Sequence, residues 1–136
     1  MNGVVFEPGT LSSHLGIRLL HAGSDGHGIV TMPLEKEHRN KLGNAHGGSI
    51  FTLADMAATA GCFGLSLTCV SSQSSISYLS PGKEGPLRAE CFPVKVGRTI
   101  VVFDVFVYDG TEKLIAKATM NCFVIGRHER NETEGY

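Results

Sequence analysis

The sequence predicts an α+β domain in which an antiparallel sheet of five to six strands wraps around one long helix. Three observations carry this. Residues 49–67 are rich in Ala, Leu, Phe and Met and are apolar or small on almost every side, so as a helix they must be covered all round. From Cys69 onward the apolar residues recur at period two, in runs separated by turn signals. Strands segregated from a single helix make an antiparallel sheet, and that sheet is the only cover the helix has.

The elements follow in order. Residues 7–15 hold a short helix. Residues 16–21, with Ile17-Arg18-Leu19-Leu20, form a strand. Ala22-Gly23-Ser24-Asp25-Gly26 is a cluster of turn residues, and residues 27–34 return as the second strand of a hairpin. Gly23, Gly26 and Gly28 lie between two strands rather than before a helix, so they read as a turn and not as a phosphate loop. Pro33 and Glu35-Lys36-Glu37-His38-Arg39 end the hairpin, and a Gly-rich segment, 40–48, leads into the long helix. Four strands then form a meander: 69–79, 87–96, 99–108 and 113–125. The second of these slips phase at Phe92-Pro93, which predicts a bulge or an edge. Gly97-Arg98 and Asp109-Gly110 are turns. Residues 1–126 make a single domain, and 127–136 a disordered tail.

Composition narrows the function. The chain has 136 residues, 42% of them hydrophobic, with 12 Lys and Arg against 13 Asp and Glu. The net charge of -1 and the scattered basic residues argue against nucleic acid as a partner. The opening residues lack the basic and apolar regions of a signal peptide. Residues 50–67 come closest to a membrane span but are broken by Asp55 and by Thr, Ser and Gly. Cys62, Cys69, Cys91 and Cys122 are far apart in sequence, with no C-x-x-C spacing. They read as core thiols in a reducing, cytoplasmic setting, and no metal site is expected.

One charge stands out. Between Leu42 and Gly82, Asp55 is the only Asp, Glu, Lys or Arg. A bare buried carboxylate is costly. It either pairs with a distant Lys or Arg, or caps a neighbouring loop, or faces a ligand cavity as a base. His46-Gly47-Gly48 sits where the helix begins. Glycines there leave backbone N–H groups open, and the helix dipole adds positive character, which suits an oxyanion or a polarised carbonyl. The alternative is a glycine turn with His46 as its cap. Gly47 and Asp55 are eight residues apart, about 12 Å along a helix, too far to share one carbonyl carbon. Two helices packed antiparallel about a twofold axis would bring one copy's N-terminus to the other's Asp55, giving two equivalent sites in a symmetric dimer.

Asn40-x-x-Gly43-Asn44-x-His46-Gly47-Gly48-x-x-Phe51-x-Leu53-Ala54-Asp55 resembles the signature of the hotdog-fold thioesterases of the phenylacetate-degradation (PaaI-like) type. Ile76-Ser77-Tyr78-Leu79-Ser80-Pro81 and Gly97-Arg98-Thr99 resemble further segments of that family. The resemblance implies a hotdog fold, hydrolysis of an acyl- or aryl-CoA thioester without a cofactor, and a homodimer that often doubles to a tetramer. It implies that the Gly47 N–H polarises the thioester carbonyl, with Gly48 beside it. Asp55 of the other subunit is then nucleophile or general base. His46 and Asn40 orient the thioester or the water, and Ser71 assists the water, with Ser72 as its rival. Lys83, Gly97, Arg98 and Thr99 line the CoA path, and Phe51, Thr59, Cys62 and Phe63 build the acyl pocket. Two other activities use this fold: dehydration of an acyl thioester, and acyl-CoA sensing without catalysis.

Overall fold

A computed structural model describes residues 3–129. Seven strands form one antiparallel sheet: β1 (Val4–Val5), β2 (Arg18–Ala22), β3 (Gly28–Met32), β4 (Leu67–Tyr78), β5 (Leu87–Val96), β6 (Ile100–Tyr108) and β7 (Leu114–Arg127). Their order is β1-β2-β3-β5-β6-β7-β4. The helices are α1 (Leu11–His14) and α2 (Gly47–Gly64), with a 3-10 turn at Lys36–His38. This is the hotdog arrangement, and the two-residue β1 at the sheet edge adds a strand that the sequence pattern did not suggest.

The last four strands are not a simple meander. β5, β6 and β7 pair consecutively, but β4 pairs with β7 rather than with β5. The 67–78 strand therefore lies at the far edge of the sheet. The residues between β4 and β5 recross the sheet to place β5 beside β3. Two smaller expectations are met in β5. Its bounds agree, and its register shifts between Pro93 and Lys95, close to the predicted slip.

Helix α2 starts two residues earlier and ends three earlier than its composition suggested. The His46 side chain accepts from the Gly48 N–H and caps it, so helical geometry begins at Gly47. At the other end Ser66 takes a left-handed φ of 61°, and its N–H bonds to Phe63 O, which closes the helix. The helix seats closely on the sheet at Gly61. A Cβ there would stand 2.5 Å from a Phe103 ring atom and 2.8 Å from Cys91 Sγ, so a larger residue would push helix and sheet apart.

The core is the layer between α2 and the inner faces of β3, β5, β6 and β7. Leu53, Ala54 and Ala57 of the helix share this core with Val30, Leu87, Ala89, Val105 and Met120 of the sheet, all essentially inaccessible to water. The helix is not buried on every side, however. Thr52, Asp55, Met56, Thr59 and Phe63 form a half-buried strip along it. This strip is what the apolar, all-round composition concealed: most of the helix is buried, and one stripe is only half-buried.

The four cysteines are free. Three are buried, and Cys69 is half-buried. Burial pushes the Cys91 thiol up to about 12. The fold gathers the other three, which sequence spacing had kept apart: the Cys122 thiol, then burial, raises Cys62, and the same contact lowers Cys122. Arg127, expected in the tail at 127–136, is instead the last residue of β7. Its residues from 130 onward lie outside the described residues.

Candidate active site

Asp55 lies on the half-buried strip of α2, facing the edge strand β4. Its Oδ1 accepts from Ser71 Oγ at 2.5 Å. Among the described residues no lysine or arginine pairs with it, since every ion pair lies elsewhere. The cation-paired alternative finds no partner among those residues. Ser72, the rival hydroxyl, donates instead to the Asn121 carbonyl at 3.0 Å. Thr59 back-bonds to Asp55 O one turn away, at 3.2 Å, and Phe51 is half-buried one turn before Asp55.

The other half of the site is the start of α2. The Gly47 N–H, at the first helical position, has no acceptor within the helix and meets none among the described residues. Gly48 differs from expectation, because its N–H is already bound by His46 Nδ1 at 2.8 Å. His46 is thus a cap, and of the two glycines only Gly47 offers an open donor. Tyr78 OH donates to Gly47 O at 2.9 Å, and its ring lies 3.3 Å from where a Gly47 Cβ would stand. A cleft of about 350 Å³ opens here. Asn40, Asn44, Gly47, Ile50, Tyr78 and Gly82 are among its walls.

Asn40 reaches this cleft as a loop former. Its Oδ1 accepts from the N–H groups of Leu42 at 3.0 Å and Asn44 at 3.2 Å. Lys83 is exposed beside the cleft, and its carbonyl is held by Arg39 at 3.0 Å. The same guanidinium reaches Gly43 O at 2.7 Å and Leu34 O at 3.1 Å. Arg39 therefore ties together the loops on both sides of the cleft. In sequence it is one of the charged residues that end the hairpin, and only its carbonyl partners reveal it.

Gly97, Arg98 and Thr99 form the turn between β5 and β6, closed by Gly97 N–H to Ile100 O at 2.9 Å. Thr99 O accepts from Val124, whose partner on β4 is Cys69. This turn thus belongs to the Asp55 end of the sheet, not the Gly47 end where Lys83 stands. One chain brings Asp55 and Ser71 together, and separately Gly47, Asn40 and Tyr78. It does not unite the two groups.

Among the described residues no group of three or more His, Cys, Asp or Glu is placed to hold a metal ion. No helix there is long and apolar enough to cross a membrane.

Known proteins resemble this chain over most of its length. Residues 42–116 match the family model of the thioesterase superfamily. The putative esterase ComA2 of Bacillus subtilis is 32% identical over 120 residues, covering 85% of this chain and 94% of that protein. The acyl-coenzyme A thioesterase PaaI of Escherichia coli is 28% identical over 113 residues, covering 82% and 80%. A Streptococcus mutans protein solved bound to acetyl CoA superposes with a TM-score of 0.77 at 37% identity, covering 83% of this chain and 91% of that one.

Proposed function

The chain belongs to the thioesterase superfamily as a PaaI-like hotdog thioester hydrolase, and on that premise we propose that it hydrolyses an acyl- or aryl-CoA to the free acid and CoA in sites shared by two subunits. One observation carries this reading: among the described residues Asp55 has a hydroxyl partner and no cation, and it stands on a half-buried strip of helix. A structural carboxylate in that position would be neutralised. The similarity to an acyl-coenzyme A thioesterase and to a protein bound to acetyl CoA supports the substrate class.

The shared site follows from distance. Gly47 and Asp55 are about 12 Å apart on one helix, and each lacks what the other has. β4 is a twelve-residue strand whose one neighbour among the described residues is β7, and an unpaired edge of that length is a template for a second strand. Pairing of two β4 edges about a twofold axis closes the half-open strip of α2 and brings the partner's helix N-terminus toward Asp55. A further doubling to a tetramer belongs to the same reading.

In this site the Gly47 N–H donates to the thioester carbonyl oxygen, whose negative charge grows as the carbon becomes tetrahedral. Asp55 either attacks the carbon or takes a proton from the attacking water, and Ser71 orients it. The C–S bond breaks, CoA leaves as the thiolate, and water supplies the acid's second oxygen. Carboxylate, hydroxyl and amide suffice for this step, without a cofactor. Asn40 and His46 shape the loop and helix start that present Gly47. Phe51 and Thr59 flank the acyl group, and Lys83 from one side with Gly97, Arg98 and Thr99 from the other line the CoA path. Four free thiols fit a cytoplasmic setting.

The test is release of free thiol from a panel of short, long, branched and aryl CoA esters. Turnover by wild type and its loss in Asp55→Ala is the expected result. A panel with no turnover overturns the proposal. Mixing Asp55→Ala chains with Gly47→Pro chains tests the sharing: Pro lacks the N–H and is accepted at a first helical position. Mixed dimers regain one intact site, whereas a site within one chain regains none.

A further inference from the structure

Two contacts from β4 to α2 lie at an odd spacing. Ser71 binds Asp55 Oδ1 and Tyr78 binds Gly47 O, seven positions apart. In an unbroken strand, residues an odd number apart point to opposite faces. The register of β4 on β7 shifts between Ser71 and Gln73. Ser72 is thus one extra residue, a bulge, and it reverses the parity of everything after it.

The cross-strand partners show the reversal. Ser71 lies opposite Cys122, and Ser74, Ile76 and Tyr78 lie opposite Met120, Ala118 and Ala116. All four β7 partners are buried, so both stretches face the helix. Gln73, Ser75 and Ser77 lie opposite Asn121, Thr119 and Lys117 on the outer face. Without Ser72 in the bulge, either Ser71 or Tyr78 would turn outward.

Two polar contacts hold the bulge. Ser72 Oγ donates to Asn121 O at 3.0 Å, and Asn121 Nδ2 donates to Gln73 Oε1 at 3.1 Å. Resting on the reading of Asp55 and Gly47 as the two halves of the site, we propose that Ser72 and Asn121 are positioning residues. They fix the bulge, and the bulge keeps Ser71 on Asp55 and Tyr78 on Gly47 at once. One strand irregularity then sets both half-sites of a chain, each of which serves a different active site of the dimer.

The experiment compares Ser72→Ala, Ser72→Thr and Asn121→Ala on the acyl-CoA that wild type turns over fastest, with sedimentation to report the dimer. Ser72→Ala and Asn121→Ala are expected to lower kcat about five- to tenfold with KM within about twofold, and to remain dimeric. Ser72→Thr keeps the hydroxyl and is expected to restore kcat to within about twofold of wild type. A Ser72→Ala enzyme at full rate, or one slowed only through loss of the dimer, overturns the proposal. If Asp55→Ala is inactive in the same assay, the reading of the site survives that outcome. A crystal structure of Ser72→Ala decides the matter apart from activity: Ser71 or Tyr78 turned off the helix supports the proposal, and both contacts intact overturns it.

Discussion

Ser71 Oγ stands 2.5 Å from Asp55 Oδ1, and this single hydroxyl is the carboxylate's only side-chain partner among the described residues. A hydrogen bond to a charged acceptor is short and strong. It fixes the plane of the carboxylate while leaving Oδ2 for water or substrate. Removing the carboxylate charge with Asp55→Asn is expected to lower kcat by about 10²–10⁴-fold, the range for a positioned acid or base. Ser71→Ala leaves the charge and loses the orientation, with a loss of about tenfold, or about 1.4 kcal/mol of barrier. Thiol release measures both, and thermal melts should show both variants folded. A Ser71→Ala enzyme at wild-type rate would remove the hydroxyl from the chemistry.

Gly47→Ala separates the open amide from the space around it. Alanine keeps the N–H and suits a helix at least as well as glycine, so thermal stability should hold. Its Cβ would meet the Tyr78 ring at 3.3 Å, closer than such contacts usually run, so the ring in the cleft wall must shift slightly. We expect kcat/KM to fall about tenfold. Tyr78→Phe keeps the ring and loses only the bond to Gly47 O, so a drop of about threefold is expected. Should Gly47→Ala match wild type, the ring's placement would not matter to the reaction.

The long helix, the hairpin turns and the odd carboxylate were legible because each breaks a local pattern. Asp55 is a charge in an uncharged stretch, and Gly97-Arg98 and Asp109-Gly110 interrupt alternation. β1 was not legible, since two residues cannot display a period. The β4 to β7 pairing escaped because local sequence fixes strands, not their neighbours across a crossover. The state of the Gly48 amide has a related cause: whether it is open depends on the His46 rotamer, which bends back to cap it. The joint role of Ser71 and Tyr78 was hidden by their odd separation, which alternation assigns to opposite faces until the Ser72 bulge is seen.

His38 is a buried link between the entry to α2 and the rest of the chain, only 1% exposed. Its Nδ1 accepts from the Glu35 N–H at 3.0 Å, and its Nε2 donates to Leu15 O at 2.7 Å. Its carbonyl accepts from the His46 N–H at 2.8 Å and from Ser49 Oγ at 3.1 Å. His38→Ala leaves a cavity and two unmatched polar groups, a cost of about 2–4 kcal/mol. Urea denaturation measures it. Because the residue lies just before the Asn40–His46 loop, activity below the melting transition should fall as well. Unchanged stability would mean that water replaces the ring at no cost.

Asp109 gives the stability a defined acid limb. Burial opposes its ionisation. Against that, the Thr111 hydroxyl and the N–H groups of Thr111 and Lys113 converge on Oδ1 and hold the carboxyl below its ordinary value. A carboxyl depressed by folding contributes stability above its unfolded value of about 3.9. That contribution fades as pH falls through the lower folded value. Asp109→Ala is therefore expected to cost about 1–3 kcal/mol at pH 7, with the gap to wild type narrowing below about pH 4. Urea midpoints at pH 7 and pH 3 test this. A gap equally wide at pH 3 would show that the neutral carboxyl serves the turn as well as the ionised one, and that the charge contributes nothing.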